Sequence, residues 1–257
     1  MTDRFTIEKA SPGDGHQIAR LVCRSLPVRL RPLTIWESPG AGPYVDAILR
    51  GGSRHEAHEF FLLRQGVTPV GLAAFRQLDG QAFLNHLYLA PELRGRGLGA
   101  RLLETAARRR LRHHPAEKIS LDVFAGAQPA EAWYERLGFS ERSQRGWWLR
   151  APRRPIAASP RHSCSGFSTF VISTAAGRRY QVGRLHTPYF RLTDPRAAED
   201  HELHRSLAAL DPPSALLLIA PGDVAPRGWK KIAVSRRLEC NAAALLDRLA
   251  AAAKEAA

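Results

Sequence analysis

The sequence predicts a mixed α/β protein that folds as two units, and three observations support this fold class. Of its 257 residues, 44% are hydrophobic and 24% are charged, which is typical of a globular chain with a sizeable core. Short apolar runs with the period of strands are interspersed with segments of helical period. Residues 151–166 interrupt both patterns with three prolines, so they predict a linker between domains at 1–150 and 167–257.

The first region reads as strands alternating with helices. Its predicted strands cover residues 5–9, 59–64, 69–77, 81–89, 118–123 and 146–149. Its predicted helices begin after Ser11-Pro12 and cover 45–49, 97–113 and 129–137. Asp79-Gly80 lies between two of the strands and is a strong signal for a hairpin turn. The proline and glycine residues of 27–43 predict a loop.

The second region predicts a smaller α/β domain of about 90 residues, within the usual size range of domains. Its predicted strands cover residues 167–174, 180–191, 215–219 and 230–235, and its predicted helices cover 197–210 and 242–253. This order loosely repeats part of the first region, so a degenerate copy of the same fold is one interpretation. No motif in this region indicates a function.

The chain carries a formal net charge of +14, which raises the question of a nucleic-acid partner. Arginine accounts for 33 of the 38 basic residues, a bias typical of GC-rich bacterial coding. The charge is +7 in residues 1–150 and +7 in residues 151–257, and no basic tail or stripe stands out. A generally positive surface is therefore favoured over a nucleic-acid site, although the charge alone leaves that partner open.

Cellular location is predicted from what the sequence lacks. No apolar run reaches the roughly 18–20 residues that a membrane helix needs, and the amino terminus shows no apolar signal-peptide core. Cys23, Cys164 and Cys240 are far apart and lack the spacing of a metal site, so reduced thiols are expected. These features predict a cytoplasmic protein with no membrane partner and no bound metal.

One segment, residues 84–103, carries the clearest chemical signal. A predicted strand ends at Leu89, Pro91 stops it, and a turn with glycines at 95, 97 and 99 leads directly into a helix. Glycines let backbone N–H groups approach a ligand closely, and a helix N-terminus attracts anions. The turn therefore predicts a cradle for a pyrophosphate, with Arg94 and Arg96 adding charge. A dinucleotide-binding turn would follow the first strand of a βαβ unit instead, and no Gly-Lys-Ser/Thr of a Walker loop follows.

Two sequence blocks, in this order, make a specific pattern. The turn Arg94-Gly95-Arg96-Gly97-Leu98-Gly99 follows Leu89-Ala90-Pro91, and about 35 residues later Leu121-Asp122-Val123 precedes Trp133-Tyr134-Glu135-Arg136-Leu137-Gly138-Phe139. Over about residues 4–150 the chain resembles the GNAT family of N-acetyltransferases. The resemblance implies an acyl-CoA-binding fold with a mixed, splayed central sheet, and acetyl-CoA as the cosubstrate.

The resemblance also implies roles for individual residues. Backbone groups of Leu87, Tyr88 and Leu89 are expected to bind the pantetheine arm like an added strand, and Tyr134 is expected to protonate the leaving thiolate. Gln128 is expected to substitute for an asparagine that the family often has at the position of Ala127. The other expected cofactor-binding residues form the turn: Arg94, Gly95, Arg96, Gly97, Leu98 and Gly99.

The general base is an open question, because Phe83 occupies the position where many members of the family have a glutamate. His86 is the first candidate, since it shares a strand face with Tyr88 by the period of two and an imidazole has an unperturbed pKa of about 6.5. A polar side chain on a solvent-facing strand is the alternative interpretation of His86. Asp122, on the fifth strand where it splays from the fourth, and a water chain are the other candidates.

These features predict an N-acyltransferase that moves the acetyl group of acetyl-CoA to a primary amine by direct attack. The missing glutamate allows the alternative of a catalytically weak acyl-CoA-binding sensor or scaffold, and the net charge allows an enzyme acting on charged tRNA. Residues 28–49 are expected to contact the acceptor, a small molecule or a protein, and the chain is expected to be a monomer or homodimer. The second region has no glycine-rich turn before a helix, so it is expected not to bind CoA.

Overall fold

The computed structural model describes residues 4–51, 58–78, 80–151, 161–185, 189–210, 215–222 and 225–255. Its strands, numbered along the chain, are β1 Phe5–Lys9, β2 Glu59–Gln65, β3 Thr68–Leu78, β4 Gln81–Leu89, β5 Lys118–Phe124, β6 Ser140–Arg150, β7 Arg161–Gly166, β8 Thr169–Ser173, β9 Arg179–Arg184, β10 Tyr189–Leu192, β11 Ala215–Pro221 and β12 Lys230–Asn241. Its α-helices are α1 Gly15–Ser25, α2 Ala41–Leu49, α3 Leu98–His113, α4 Gln128–Arg136, α5 His201–Leu210 and α6 Ala242–Glu255. Strands and helices alternate in both halves, which confirms the predicted mixed α/β class.

The chain divides by its contacts into two compact units. Unit 1 comprises Met1–Val28, Pro39–Arg142 and Arg237–Ala257, and unit 2 comprises Arg29–Ser38 and Ser143–Arg236. This division differs from the sequence-based domains of 1–150 and 167–257, because residues 237–257 belong to unit 1. The second half of β12 and all of α6 belong with the amino-terminal residues.

The sheet of unit 1 runs in the order β1-β2-β3-β4-β5-β12. Strands β1 to β4 pair antiparallel, and the β3–β4 hairpin turns through Gly80, whose φ of +76° requires glycine. Asp79 of the predicted turn lies outside the described residues. Strand β5 is parallel to β4, but the pairing covers only three residue pairs and ends at Leu84↔Leu121. Beyond that point the two strands separate, as the resemblance implies.

The two faces of this sheet differ in what covers them. Helix α3 packs with Ala73, Phe75 and Leu84 in the main hydrophobic core. A β-bulge at Asn85 shifts the register, so that Phe75 pairs with Leu84 and Ala74 pairs with His86. Helix α1 contacts β3 and β4 on the opposite face. The residues on that face are Leu72, Ala74, Arg76, Phe83, His86 and Tyr88.

The carboxyl-terminal segment completes unit 1. Helix α6 buries Leu245 and Leu249 fully in the same core as α3. The amide of Ala242 donates to the carbonyl of Glu117 at 2.9 Å, and Arg248 Nη1 donates to the carbonyl of Leu137 at 3.1 Å. Unit 1 therefore does not consist of the first 150 residues alone.

Unit 2 repeats the strand pattern of unit 1. Strands β7, β8, β9 and β10 pair antiparallel in turn, and β10 is parallel to β11 after a connection through α5. Strand β11 continues antiparallel onto β6. The core of this unit includes Trp148, Phe190, Leu203, Leu207, Leu216 and Leu218. Four antiparallel strands followed by a parallel crossover describe both units, in agreement with the predicted degenerate copy.

Three sequence-based elements differ in kind from the structure. Residues 180–191, predicted as one strand, form β9 and β10. Of the predicted linker 151–166, residues 152–160 lie outside the described residues, whereas Arg161–Gly166 forms β7. This edge strand is held by its ladder with β8 and has no apolar alternation, so periodicity could not reveal it. The predicted loop 27–43 contains two short 3-10 helices, Val28–Leu33 and Ile35–Glu37, and the start of α2.

Candidate cofactor and catalytic site

The turn between β4 and α3 is built on two glycines in the left-handed region. Gly95 has φ +76° and Gly97 has φ +69°, conformations that side chains other than glycine rarely adopt. A Cβ added at Gly95 would meet no atom within 4 Å, so the backbone conformation there, and not the space, requires glycine. Gly97 is the N-cap residue of α3, and no side chain caps that helix.

The start of α3 has the properties of an anion site. The helix has 16 residues, with no acidic residue in its first turn, so its unsatisfied N–H groups and dipole favour a negative group there. Arg94 and Arg96 are exposed beside it. Arg94 Nε also donates to the carbonyl of Leu89 at 3.2 Å, and the Arg96 guanidinium lies 5.5 Å from the Phe5 ring centroid. The chemistry of this turn fits a pyrophosphate.

The end of β4 offers backbone groups on the side that β5 leaves open. The amide of Ala90 donates to the carbonyl of Val70 at 2.9 Å, so backbone groups of even-numbered residues face β3 here. By alternation, the N–H groups of Leu87 and Leu89 face the gap. Tyr88 pairs with Leu72 and is buried on the sheet face that α1 contacts. Leu87 and Leu89 are therefore placed to pair with an extended ligand, and Tyr88 is not.

Tyr134 lies in α4 with its ring held by two aromatic neighbours. The ring centroids of Trp133 and Phe139 lie 5.2 and 5.5 Å away. Burial raises the pKa of Tyr134 above its ordinary value, so its hydroxyl is protonated at neutral pH. Among the described residues, the hydroxyl forms no hydrogen bond. The ring is thus held in place by packing.

His86 lies half-buried on β4, on the face that α1 contacts. Burial, together with the charges of Arg76 and His58, lowers the pKa of His86 to about 3. The imidazole is therefore neutral at pH 7, and it is a weaker base than an ordinary histidine.

Asp122 lies on β5 just past the point where β4 and β5 separate, and it is paired with Arg237. Arg237 Nη2 donates to Asp122 Oδ2 at 3.0 Å, and Arg237 Nε donates to Oδ1. Both carboxylate oxygens are thus engaged in a bidentate pair. Arg237 lies 115 residues further along the chain, so no local sequence pattern could have predicted this pair.

Phe83 lies close to two guanidinium groups. The Arg76 guanidinium carbon is 4.9 Å from its ring centroid, and that of Arg237 is 4.7 Å away. Phe83 is only 2% exposed. At these distances both contacts are cation–π interactions, in which the ring accommodates positive charge on a largely desolvated face.

The other predicted contacts are Gln128 and the acceptor segment 28–49. Gln128 is exposed at the first residue of α4, and Ala127 at the N-cap provides no capping hydrogen bond. In the predicted acceptor segment 28–49, the Asp46 carboxylate accepts the amides of Gly13 and Gly15 at 2.8 and 3.0 Å. Asp46 therefore joins α2 to the start of α1.

In unit 2, the N-terminus of α5 is already occupied by a carboxylate of the chain. Asp200 Oδ1 accepts the amides of Glu202 and Leu203 at 3.2 and 3.1 Å. Its Oδ2 accepts the Tyr180 hydroxyl at 2.8 Å and Arg178 Nε at 2.7 Å. Burial alone would raise the pKa of Asp200, but the hydrogen bonds outweigh it and the net shift is downward. The helix end therefore has its own permanent anion.

The described residues contain neither a membrane-spanning helix nor a cluster of metal ligands. No helix within them is both long and apolar enough to cross a membrane. No three histidine, cysteine, aspartate or glutamate side chains in that part of the chain come together as metal ligands would.

Comparison with known proteins shows what the chain resembles. Residues 28–139 match the family model described as Acetyltransferase (GNAT) family, and no curated protein matches the chain. A tandem GNAT protein from the clavulanic acid biosynthesis pathway has a similar structure, with a TM-score of 0.64 at 14% identity, over 93% of this chain and 99% of its own.

Two further solved structures are similar along nearly the whole chain. A GCN5-related N-acetyltransferase from Sphaerobacter thermophilus has a TM-score of 0.58 at 14% identity, covering 94% of this chain and 97% of its own. A putative acetyltransferase from Pyrococcus horikoshii has a TM-score of 0.52 at 14% identity, covering 94% and 90%. At these identities the likeness concerns the fold, and it extends through unit 2. The family match itself is confined to residues 28–139, in the amino-terminal part of the chain.

Proposed function

We propose that the protein is an acetyl-CoA-dependent N-acetyltransferase whose active site lies in unit 1. The observation that carries the proposal is the uncapped N-terminus of α3 beside the gap that opens after Leu84↔Leu121. A helix end without its own anion, next to an unpaired strand edge, is suited to a ligand that joins a pyrophosphate to an extended amide-containing arm.

The residues that would hold the cosubstrate follow from this placement. The amides of Gly95 to Gly99 and the α3 dipole would bind the pyrophosphate, with Arg94 and Arg96 neutralising its charge. The N–H groups of Leu87 and Leu89 would pair with the pantetheine arm. Acetyl-CoA, when bound, supplies an acetyl group activated as a thioester.

Tyr134 would act as the general acid. Its hydroxyl donates a proton to the sulfur as the carbon–sulfur bond breaks and the nitrogen–carbon bond forms, and it regains a proton from solvent. Burial keeps the hydroxyl protonated until that step. The packing of Trp133 and Phe139 would keep the ring in position.

Removal of the amine proton does not require a strong base in this scheme. The nitrogen becomes far more acidic once it is bonded to the acyl carbon, so the neutral His86 imidazole or a water chain can accept its proton after attack. Asp122 is the weaker candidate, because both of its oxygens accept hydrogen bonds from Arg237. The amine itself would have to arrive uncharged.

A second candidate function is an acyl-CoA-binding sensor or scaffold without turnover. The specific observation in its favour is Phe83, which places an aromatic ring between Arg76 and Arg237 at the position of the family's glutamate. Under this alternative the cosubstrate binds, but no amine is acetylated.

A matched pair of glycine variants tests the cradle. Gly95 and Gly177 both have φ +76°, and a Cβ at either meets no atom within 4 Å, so an aspartate strains both backbones alike. We expect Gly95→Asp to abolish acetyl-CoA binding in calorimetric titration, because it places a carboxylate beside the pyrophosphate, while Gly177→Asp binds as the wild type does. Equal affinity in both variants would refute the cradle.

Turnover is then measured as release of the CoA thiol with a panel of amines. Release that depends on the amine supports the transferase. Binding without release for every amine would favour the sensor or scaffold.

A further inference from the structure

Tyr134, the proposed general acid, lies in the turn that ends α4. The amide of Phe139 donates to the carbonyl of Tyr134 at 3.0 Å, and the two rings meet edge to face with centroids 5.5 Å apart. The amide of Gly138, whose φ is +85°, donates to the carbonyl of Glu135 at 2.9 Å. These two backbone bonds around a left-handed glycine form a Schellman motif, a common end of a helix. The geometry of this motif therefore determines where the Tyr134 ring is placed.

The guanidinium group of Arg248 covers the Schellman motif from α6. Its Nη1 donates to the carbonyl of Leu137 at 3.1 Å. A Cβ added at Gly138 would lie 1.2 Å from the same nitrogen and 2.4 Å from Cζ, so the guanidinium occupies the space that the glycine leaves empty. The last carbonyls of a helix lack intrahelical partners and carry the negative end of its dipole. Arg248 therefore supplies both a hydrogen bond and a positive charge at the end of α4.

Helix α6 is anchored where it carries Arg248. Leu245 and Leu249, on either side of Arg248 in the sequence, are fully buried in the core against which Tyr134 packs. Burial raises the pKa of Cys240 on β12 to about 12, and the Arg248 charge opposes that rise. The charge is thus close to β12 as well as to the end of α4, all within unit 1.

We propose that Arg248 is a positioning residue for Tyr134. By holding the Schellman motif at Leu137 and Gly138, it keeps the tyrosine hydroxyl in the position that proton transfer to the sulfur requires. In this role it need not touch either substrate. The inference rests on the proposed function, in which Tyr134 protonates the leaving thiolate. It gives the carboxyl-terminal helix a role in turnover besides its role in the core.

Variants of Arg248 test this role against a matched arginine. Arg248→Met removes the donor and the charge, and Arg248→Lys keeps both. We expect Arg248→Met to lower kcat about tenfold, the value of one charge-assisted hydrogen bond, with acetyl-CoA affinity unchanged. Arg248→Lys should recover part of the loss. Arg109→Met, at an exposed position of α3, should leave kcat as it is in the wild type.

The assay follows release of the CoA thiol from acetyl-CoA. The amine is the most reactive member of a panel that contains the standard amino acids, ethanolamine, putrescine and a lysine-containing peptide. Each variant is measured at a temperature at which its thermal melt shows it to be folded, so that a loss of stability alone does not change kcat.

A double-mutant cycle determines whether Arg248 acts through Tyr134. Once Tyr134→Phe has removed the proton donor, Arg248→Met should lower kcat little further, because the two losses share one cause. Losses that multiply in the double variant would show that Arg248 acts independently of the tyrosine, and they would overturn the proposal.

A pair of alanine variants tests the same contact without changing the arginine. Gly138→Ala places a carbon where Arg248 Nη1 lies, so the guanidinium has to move away. Gly80→Ala strains a similar backbone, with φ +76°, but its added carbon meets no atom within 4 Å. We expect Gly138→Ala to lower kcat at least as much as Arg248→Met does, and Gly80→Ala to leave it unchanged. A wild-type kcat in Gly138→Ala would contradict the proposal.

The outcomes separate the inference from the function on which it rests. If Tyr134→Phe is slow but Arg248→Met turns over like the wild type, or loses acetyl-CoA affinity instead of kcat, the inference is wrong and the transferase stands. If acetyl-CoA binds but no amine of the panel releases the thiol, the proposed function fails and the inference fails with it.

Discussion

Units 1 and 2 share a strand pattern but differ at the helix that follows the fourth strand. In unit 1 the N-terminus of α3 begins at Gly97 without a side-chain cap. In unit 2 the N-terminus of α5 is capped by Asp200, which Arg178 and Tyr180 hold in place. One helix end is therefore available to an external anion, whereas the other contains an anion that belongs to the fold.

The strands that precede these two helices also differ in how much of their edge is paired. Strand β4 pairs with β5 only up to Leu84↔Leu121, which leaves an open edge. Strand β10 pairs with β11 over its whole length, from Tyr189↔Ala215 to Leu192↔Leu218. A ligand arm has no edge to pair with there. A few residues at one turn and one strand edge therefore distinguish the two units, and under the proposed function they decide which of them binds acetyl-CoA.

Removing residues 237–257 should have the largest effect. Leu245 and Leu249 are fully buried in the core of unit 1, and burial of each contributes about 1.5–3 kcal/mol. We expect a chain ending at Arg236 to be insoluble or unable to bind acetyl-CoA, although it keeps the whole turn. Soluble residues 1–236 with wild-type affinity would contradict the assignment of this segment to unit 1.

A point substitution makes the same test without shortening the chain. Leu249→Ala should lower the free energy of unfolding by about 2–5 kcal/mol, the usual loss for a buried leucine. Asp247→Ala, exposed on the same helix, should change it by less than about 0.5 kcal/mol. Urea unfolding followed by circular dichroism measures both.

Tyrosine variants compare the chemistry of the two units. Tyr134→Phe removes the proposed proton donor and keeps the ring contacts, so we expect kcat to fall by about 10²–10⁴-fold with little change in acetyl-CoA affinity. Tyr180→Phe removes a hydroxyl that only supports Asp200, and it should leave kcat unchanged. Full activity of the Tyr134 variant would assign that residue to packing alone.

The local parts of the site could be predicted from the sequence. The glycine-rich turn and the helix after it depend on neighbouring residues, and α3 begins at Leu98, one residue after the predicted start. The face shared by His86 and Tyr88 follows from the period of two. The bulge at Asn85 could not be predicted, and it brings Phe83 onto the same face as His86, where simple alternation would separate them.

The non-local parts of the site could not be predicted. Arg237 and α6 reach unit 1 from the far end of the chain, and their contacts depend on how β12 is divided between the units. No spacing or composition signals such a pairing. The contacts of Asp46 are a further example, since its amide partners Gly13 and Gly15 lie at the start of another helix.

Asp200→Ala should affect unit 2 alone. The loss of a buried cap and of its charged partners should lower the stability of that unit by about 2–3 kcal/mol. Hydrogen exchange of β9 should become faster while exchange of β3 is unchanged. Acetyl-CoA should still not bind to unit 2, because β10 and β11 remain paired. A second binding site in this variant would show that the cap alone separates the two units.

The smallest expected effect is a difference in acid stability between the units. The pKa of His86 is about 3 in the folded chain and about 6.5 when unfolded, so the unfolded state binds more protons between these values. The contribution of His86 to the stability of unit 1 is therefore fully present above about pH 6.5 and falls as the pH drops toward 3, by at most about 1.4 kcal/mol per pH unit.

The depressed pKa of Asp200 acts in a different pH range, since the stability it contributes to unit 2 is lost only below the ordinary aspartate pKa of about 3.9. Hydrogen exchange at pH 7 and pH 5 should show β3 losing about 2 kcal/mol of protection relative to β9, and His86→Gln should remove that difference. An unchanged difference in the His86 variant would assign the acid sensitivity to another group.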